Sequence, residues 1–130
     1  MKRTLDNMIF DEEVDFSDRD IKKVLFVSDS HGDILNLRKV FARLNKHVDL
    51  IIHLGDLEVD PTLIAVETTK DIIFLKGNMD YDYRLPKNVI LKIKGHKLFL
   101  SHGVGYMGEY SLGEMRLTAE NNGCDVIAMG

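Results

Sequence analysis

The chain has 130 residues, 45% of them apolar and 29% charged, enough for one compact domain burying roughly two thirds of its unfolded-chain surface. A net charge of −4 argues against a general nucleic-acid binder, and no apolar run reaches the ~18 residues of a membrane span. The N-terminus lacks the order of a signal peptide, and the lone Cys124 rules out an internal disulfide, so the expected location is the cytoplasm.

Residues 1–20 carry the entire imbalance: seven acids stand against Lys2, Arg3 and Arg19, whereas residues 21–130 hold fourteen acids and fourteen bases. With only scattered apolar residues, this acidic N-terminal extension reads as mobile or loosely docked, or as an arm packing against the body or a partner. The domain proper is placed at residues 21–130. Its first strand is Val24–Val27, a continuous apolar run of the kind found in strands covered on both faces. Ile34, Leu37, Phe41 and Leu44 recur at helical spacing, which predicts an amphipathic helix over 33–46 capped by Asp33. A second strand follows at 50–52, a short crossover helix opens at Asp60-Pro61 and runs through Leu63, Ile64 and Val66, and a third strand spans 72–75.

Val89, Leu91 and Ile93 then alternate with more polar neighbours, and Lys94-Gly95-His96 turns the chain into residues 97–100. This predicts a hairpin that adds one antiparallel pairing, its second arm central in the sheet. A helix over 112–122 has Ser111 and Glu114 spaced as a capping box and Gly123 as a left-handed stop; residues 126–129 form the last strand. Apolar runs alternating with helical patterns give an α/β class with a mostly parallel sheet.

The residues just past the strand ends carry the chemistry. Asp29 and His31 come after the first strand, Gly55-Asp56 after the second, Gly77-Asn78-Met79-Asp80 after the third, and His102-Gly103 after the fifth. Ligands of open parallel sheets bind beyond the carboxyl ends of the strands, so loops far apart in sequence would meet there. Carboxylate, imidazole and amide donors without thiolate suit divalent Mn, Fe, Zn or Ni. Asp29 and His31 can reach one ion, Asp56 can bridge two, and Asn78 with His102 can hold the second; a phosphate bound between two such cations would be open to hydrolysis.

At these residues the sequence resembles the calcineurin-like metallophosphoesterases, within them the small bacterial and archaeal phosphodiesterases, from about residue 24 to residue 130. The resemblance implies a sandwich of two mixed sheets flanked by helices and a pair of divalent ions, Mn²⁺ foremost with Ni²⁺, Fe²⁺ or Zn²⁺ as options. It implies Asp29, His31, Asp56, Asn78 and His102 as metal ligands, Asp56 and Asn78 as direct participants in catalysis, and a metal-bridging hydroxide as nucleophile. The substrate would be a small phosphodiester or monoester; no membrane partner is expected, and homo-oligomerisation stays open.

Two departures from the family pattern stand out. Met79 occupies the position where larger members place a histidine that contacts phosphate or protonates the leaving group, so esters with good leaving groups are expected. Asp80 reads equally as a residue orienting a metal-binding histidine or as a surface turn residue. The family also continues past the glycine at position 130 into a Gly-His-x-His run that gives each ion one more ligand. The expectation is therefore an incomplete second sheet, weakened metal affinity and impaired activity.

Other residues take plainer readings. His53 is expected to be a satisfied core histidine, His47 to sit at a helix C-terminus, His96 to belong to the hairpin turn and Cys124 to be buried. Tyr81, Tyr83 and Arg84 are candidates to meet a substrate's organic part or its phosphate, and the glycines at 103, 105, 108 and 113 with Tyr106 and Tyr110 form either a substrate-facing loop or a plain connection. A binding module that keeps the fold without turnover, as the small retromer subunit does, is the alternative function. A receiver-type phosphorelay domain is rejected, because it needs an aspartate closing the third strand and a lysine closing the fifth.

Overall fold

A computed structural model describes residues 6–103 and 109–130, the latter with side chains from residue 113 onward. The elements run β1 (Met8–Ile9), β2 (Glu13–Phe16), β3 (Val24–Val27), α1 (Ile34–Leu44), β4 (Leu50–His53), α2 (Pro61–Ala65), β5 (Ile72–Phe74), β6 (Asn88–Ile93), β7 (His96–Ser101), α3 (Glu109–Asn121) and β8 (Val126–Met129). One sheet has the order β1-β5-β4-β3 and is parallel throughout; the other, β2-β6-β7-β8, contains the antiparallel β6–β7 hairpin.

Side-chain alternation along the strands builds the layers. Leu50, Ile52 and Ile73 of the first sheet face Val14, Val89, Leu91, Leu98 and Leu100 of the second, forming the inter-sheet core. The opposite face of the first sheet presents Ile51, Ile72 and Phe74 to Leu37 and Phe41 of α1 and to Ile64 and Ala65 of α2. Phe99, on the outer face of the second sheet, packs against Met115 and Ala119 of α3. Helix, sheet, sheet and helix stack in that order, so the continuous apolar runs of β4 and β5 are covered on both sides.

Of the forms expected for the leading segment, it takes that of an arm packed against the body rather than a mobile or loosely docked extension. β1 pairs with β5 and β2 with β6, so each sheet takes an edge strand from it, and Val14 is buried in the inter-sheet core. β3 is an edge strand packed on both faces, Val24 on the inter-sheet core and Leu25 and Val27 on the helical side, and only Phe26, 41% exposed, departs from the expected cover. Asp33 caps α1 by accepting from the Asn36 N–H, and Asp60 caps α2 by accepting from Thr62, as their sequence positions suggest. Within α2, however, only Ile64 of the three expected apolar contacts is buried; Leu63 and Val66 face outward.

The β6–β7 turn is tighter than predicted. Lys94 and Gly95 alone make it, both with positive φ, and His96 already belongs to β7. α3 starts at Glu109, which puts Ser111 inside the helix rather than at its cap, and it ends at Gly123 in a left-handed conformation. Cys124 is half-buried beside Phe99, Met115 and Ala119. β8 is an edge strand with Val126, Ile127 and Met129 exposed. The glycine and tyrosine segment at 105–108 lies outside the described residues.

Candidate metal centre

The loops after β3 and β4 extend the parallel ladder beyond the strands. Asp29 N–H donates to the Gly55 carbonyl at 2.9 Å, His31 N–H to Asp56 at 3.0 Å and Gly32 N–H to Leu57 at 2.8 Å. The third loop joins them through Met79, whose backbone N–H donates to Asp56 Oδ1 at 2.9 Å. The fourth joins through His102, whose Nδ1 lies 2.9 Å from the Leu54 carbonyl oxygen. Both sheets thus deliver their strand ends to one place.

The side chains that meet there are those singled out from the sequence. Asp29, Asp56 and His102 each place a ligand-type atom within 4.8 Å of the others. His102 Nε2 is 3.4 Å from Asp56 Oδ2 and 3.9 Å from Asp29 Oδ1, and His31 Nε2 is 3.7 Å from that same Asp29 oxygen. The inward atom of the Asn78 amide lies 3.2 Å from each Asp56 oxygen and 3.3 Å from His102 Nε2.

A carbonyl oxygen can only accept, so His102 carries a proton on Nδ1 and turns Nε2 toward the two carboxylates. Asn78 with its oxygen inward meets acceptors only; with its nitrogen inward it would donate to all three neighbours. Carboxylates, imidazoles and an amide converging this closely make up the donor set that divalent transition metals take. The residues present therefore fit a metal. Asp29 ionises readily: partial burial opposes its charge, but the Ser28 hydroxyl, Asp56 and the two imidazoles outweigh that and hold its carboxyl below the usual range.

The backbone is bent to make this possible. Asp29, His31, Asp56 and Glu58 all have φ between 46° and 61°, a region that costs a side-chain-bearing residue about 1–2 kcal/mol. The loops also approach too closely for side chains between them. A Cβ on Gly55 would lie 2.6 Å from the Gly77 nitrogen, and one on Gly77 would land on the Asp56 carboxylate.

Two buried groups hold the loops in register. Asp80, 5% exposed, accepts from the backbone N–H of Asp56 at 2.7 Å and Gly77 at 2.9 Å through one oxygen, and of Glu58 at 2.9 Å through the other. It is not a surface turn residue, and backbone N–H groups rather than a histidine meet its carboxylate, which clamps the β5 loop to the β4 loop. His53 is fully buried and its pKa is pushed down to about 4 by desolvation. Gly55 N–H donates to its Nδ1, so its proton is on Nε2, where it faces the Ser30 hydroxyl at 2.9 Å. The core-histidine reading agrees with this, and His53 in addition ties the β3 loop to the β4 loop.

Glu58 is the site residue the sequence reading missed. Its carboxylate contacts His31 Nδ1 and raises the pKa of that imidazole. The only signal was its place two residues after Asp56, which without the fold says nothing about direction. Beside it runs a groove of about 790 Å³ whose lining includes Val59, Thr62, Met79, Tyr81 and Tyr83. Arg84 also lines this groove, where it grips Asp82 through Nε and a terminal nitrogen and lies 4.9 Å above the Phe10 ring. His96 pairs with Asp125 at 2.9 Å, and His47 ends the short 3₁₀ turn Asn45–His47.

A sequence profile of the calcineurin-like phosphoesterase superfamily domain matches residues 23–130. The chain belongs to that superfamily. Among curated proteins, this calcineurin-like chain is 33% identical over 107 residues to a probable metallophosphoesterase of Bacillus subtilis, covering 82% of this chain and 62% of that protein. A probable metallophosphoesterase of Methanocaldococcus jannaschii is 32% identical over 106 residues, covering 80% and 55%. The chain thus spans somewhat over half the length of the curated relatives it matches. A solved Streptococcus pneumoniae structure described as a predicted phosphoesterase superposes with a TM-score of 0.68 at 26% identity, over 82% of this chain and 59% of that one. Vacuolar protein sorting 29 of Cryptosporidium parvum superposes with a TM-score of 0.62 over 85% and 64%; at 17% identity, that likeness shows the fold alone. Among the described residues no helix is long and apolar enough to cross a membrane.

Proposed function

We propose that this calcineurin-like domain is a metal-dependent phosphoesterase acting on small phosphodiesters, and that Asp29, His31, Asp56, Asn78 and His102 hold two divalent ions, Mn²⁺ foremost, with Asp56 between them. The observation that carries the reading is the convergence of ligand-type atoms of Asp29, Asp56 and His102 within 4.8 Å of one another, with His31 and Asn78 beside them, from four strand-end loops. When bound, a pair of divalent cations activates a shared water and draws charge from the phosphoryl oxygens. The chain's own residues supply position. Met79 N–H fixes Asp56 Oδ1, the Ser28 hydroxyl donates to Asp29 Oδ2, and the Leu54 carbonyl orients His102. A lone Cys124 without a disulfide partner is consistent with work in the cytoplasm.

The loop after β5 limits the substrate. Met79 projects a half-exposed thioether, which cannot donate a proton to a departing alkoxide. The leaving group must then carry its own charge, which favours diesters of acidic alcohols and phenols. The test is hydrolysis of bis(4-nitrophenyl) phosphate and of 4-nitrophenyl phosphate with added Mn²⁺. The expected result is turnover above the metal-only control, faster on the diester, lost on chelation and in Asp56→Asn. A wild-type rate equal to the metal-only control would overturn the catalytic reading.

A further inference from the structure

Glu58 stands apart from the five residues that meet at the centre, yet its position is among the most constrained in the molecule. Its backbone has φ of 56°, which a glutamate adopts only when its surroundings compensate. The compensation is visible: the Glu58 N–H donates 2.9 Å to Asp80 Oδ1, and Asp80 is buried with its other oxygen on Asp56 and Gly77 N–H. One residue earlier, the Leu57 carbonyl accepts from Gly32 N–H, which binds this stretch to the loop carrying His31. An ordinary φ would redirect the Glu58 side chain. In the left-handed conformation its carboxylate reaches His31 Nδ1.

We propose that Glu58 is a positioning residue for His31, aimed by the buried Asp80. A carboxylate accepts, so the contact calls for a proton on Nδ1, and in the neutral ring Nε2 is then the unprotonated nitrogen, facing Asp29. Without Glu58 the ring, half-exposed and gripped by no other side chain among the described residues, would rotate and exchange its proton between the two nitrogens. Asp80 then acts on two of the converging residues at once: on Asp56 directly through its backbone, and on His31 through Glu58. The expected loss of metal affinity rests on the metal-centre reading, whereas the tautomer of His31 is a property of the metal-free protein.

The experiment therefore reads both. Nitrogen-15 spectra of the metal-free full chain at alkaline pH, where the imidazoles are neutral, should show His31 as one tautomer with its proton on Nδ1. In Glu58→Ala the His31 signals should move to an averaged mixture, and Glu58→Gln, which keeps an acceptor oxygen, should restore most of the wild-type pattern. Asp80→Asn should shift the His31 signals in the same direction as Glu58→Ala. Calorimetric titration with Mn²⁺ alone should give an affinity about 10–100-fold weaker in Glu58→Ala, with partial recovery in Glu58→Gln. Glu58→Gly, which removes the side chain but relieves the backbone, should be as weak as Glu58→Ala, separating aim from fold. A His31 tautomer that is mixed in the wild type, or unmoved by Glu58→Ala, would overturn the proposal. Absence of Mn²⁺ binding by a wild type whose His31 shows the expected tautomer would overturn the metal-centre reading and leave the positioning role standing.

Discussion

At Asp80 one buried carboxylate takes three backbone N–H groups, so an amide in its place turns at least one pairing into donor against donor. Asp80→Asn should lower stability by about 1–3 kcal/mol, read from the urea midpoint. Gly77 shows the steric side of the same junction. Gly77→Ala would drive its methyl group into the Asp56 carboxylate, and we expect loss of Mn²⁺ uptake in a calorimetric titration together with a lower melting temperature. His53 gives a pH dependence of known sign. Its folded pKa is about 4 against 6.5 when solvated, so the unfolded chain binds its proton first, and stability present above pH 6.5 is lost as pH falls toward 4. The shift amounts to about 3 kcal/mol, and His53→Gln should flatten the stability profile across that window. The ligand-type residues were readable because each sits in a strand-end loop, four of the five beside a glycine and Asp29 two residues before His31. The roles of Asp80 and Glu58 were not, because they depend on backbone N–H directions created by left-handed residues.

Among the elements, β4, β5, the β6–β7 hairpin and the capped α1 follow from apolar runs and caps that tertiary packing does not contradict. β1 and β2 were illegible for a physical reason. β1 has two residues and β2 alternates acids with Val14 and Phe16, so neither has enough apolar surface of its own to signal a strand; the edges of β5 and β6 supply their pairing. Removing the pairing should be costly despite the acidic composition. Val14→Ala should destabilise by roughly 1–2 kcal/mol, and deletion of residues 1–20 by more, since β6 loses a neighbour along four residues. A deletion variant with an unchanged denaturant midpoint would show that the leading segment does not hold the sheets. β3 is an edge strand among the described residues, yet Val24 packs on the inter-sheet core and Leu25 and Val27 on the helical side, so of its four apolar residues Phe26 alone is exposed.

For the whole molecule, the two sheets enclose one core and send four loops to a common rim, so the fold and the site depend on each other. A cation held there binds the folded chain and not the unfolded one, and should raise stability by about 2.7 kcal/mol at a hundredfold excess over its dissociation constant, with chelation reversing the gain. The most direct test of the account is the anomalous scattering of Mn²⁺ in crystals of the metal-soaked protein. The account predicts peaks flanking the Asp56 carboxylate, within coordination distance of Asp29 and His31 on one side and of Asn78 and His102 on the other. A map with no peak at this rim, while Mn²⁺ occupies other carboxylates of the same molecule, would contradict it.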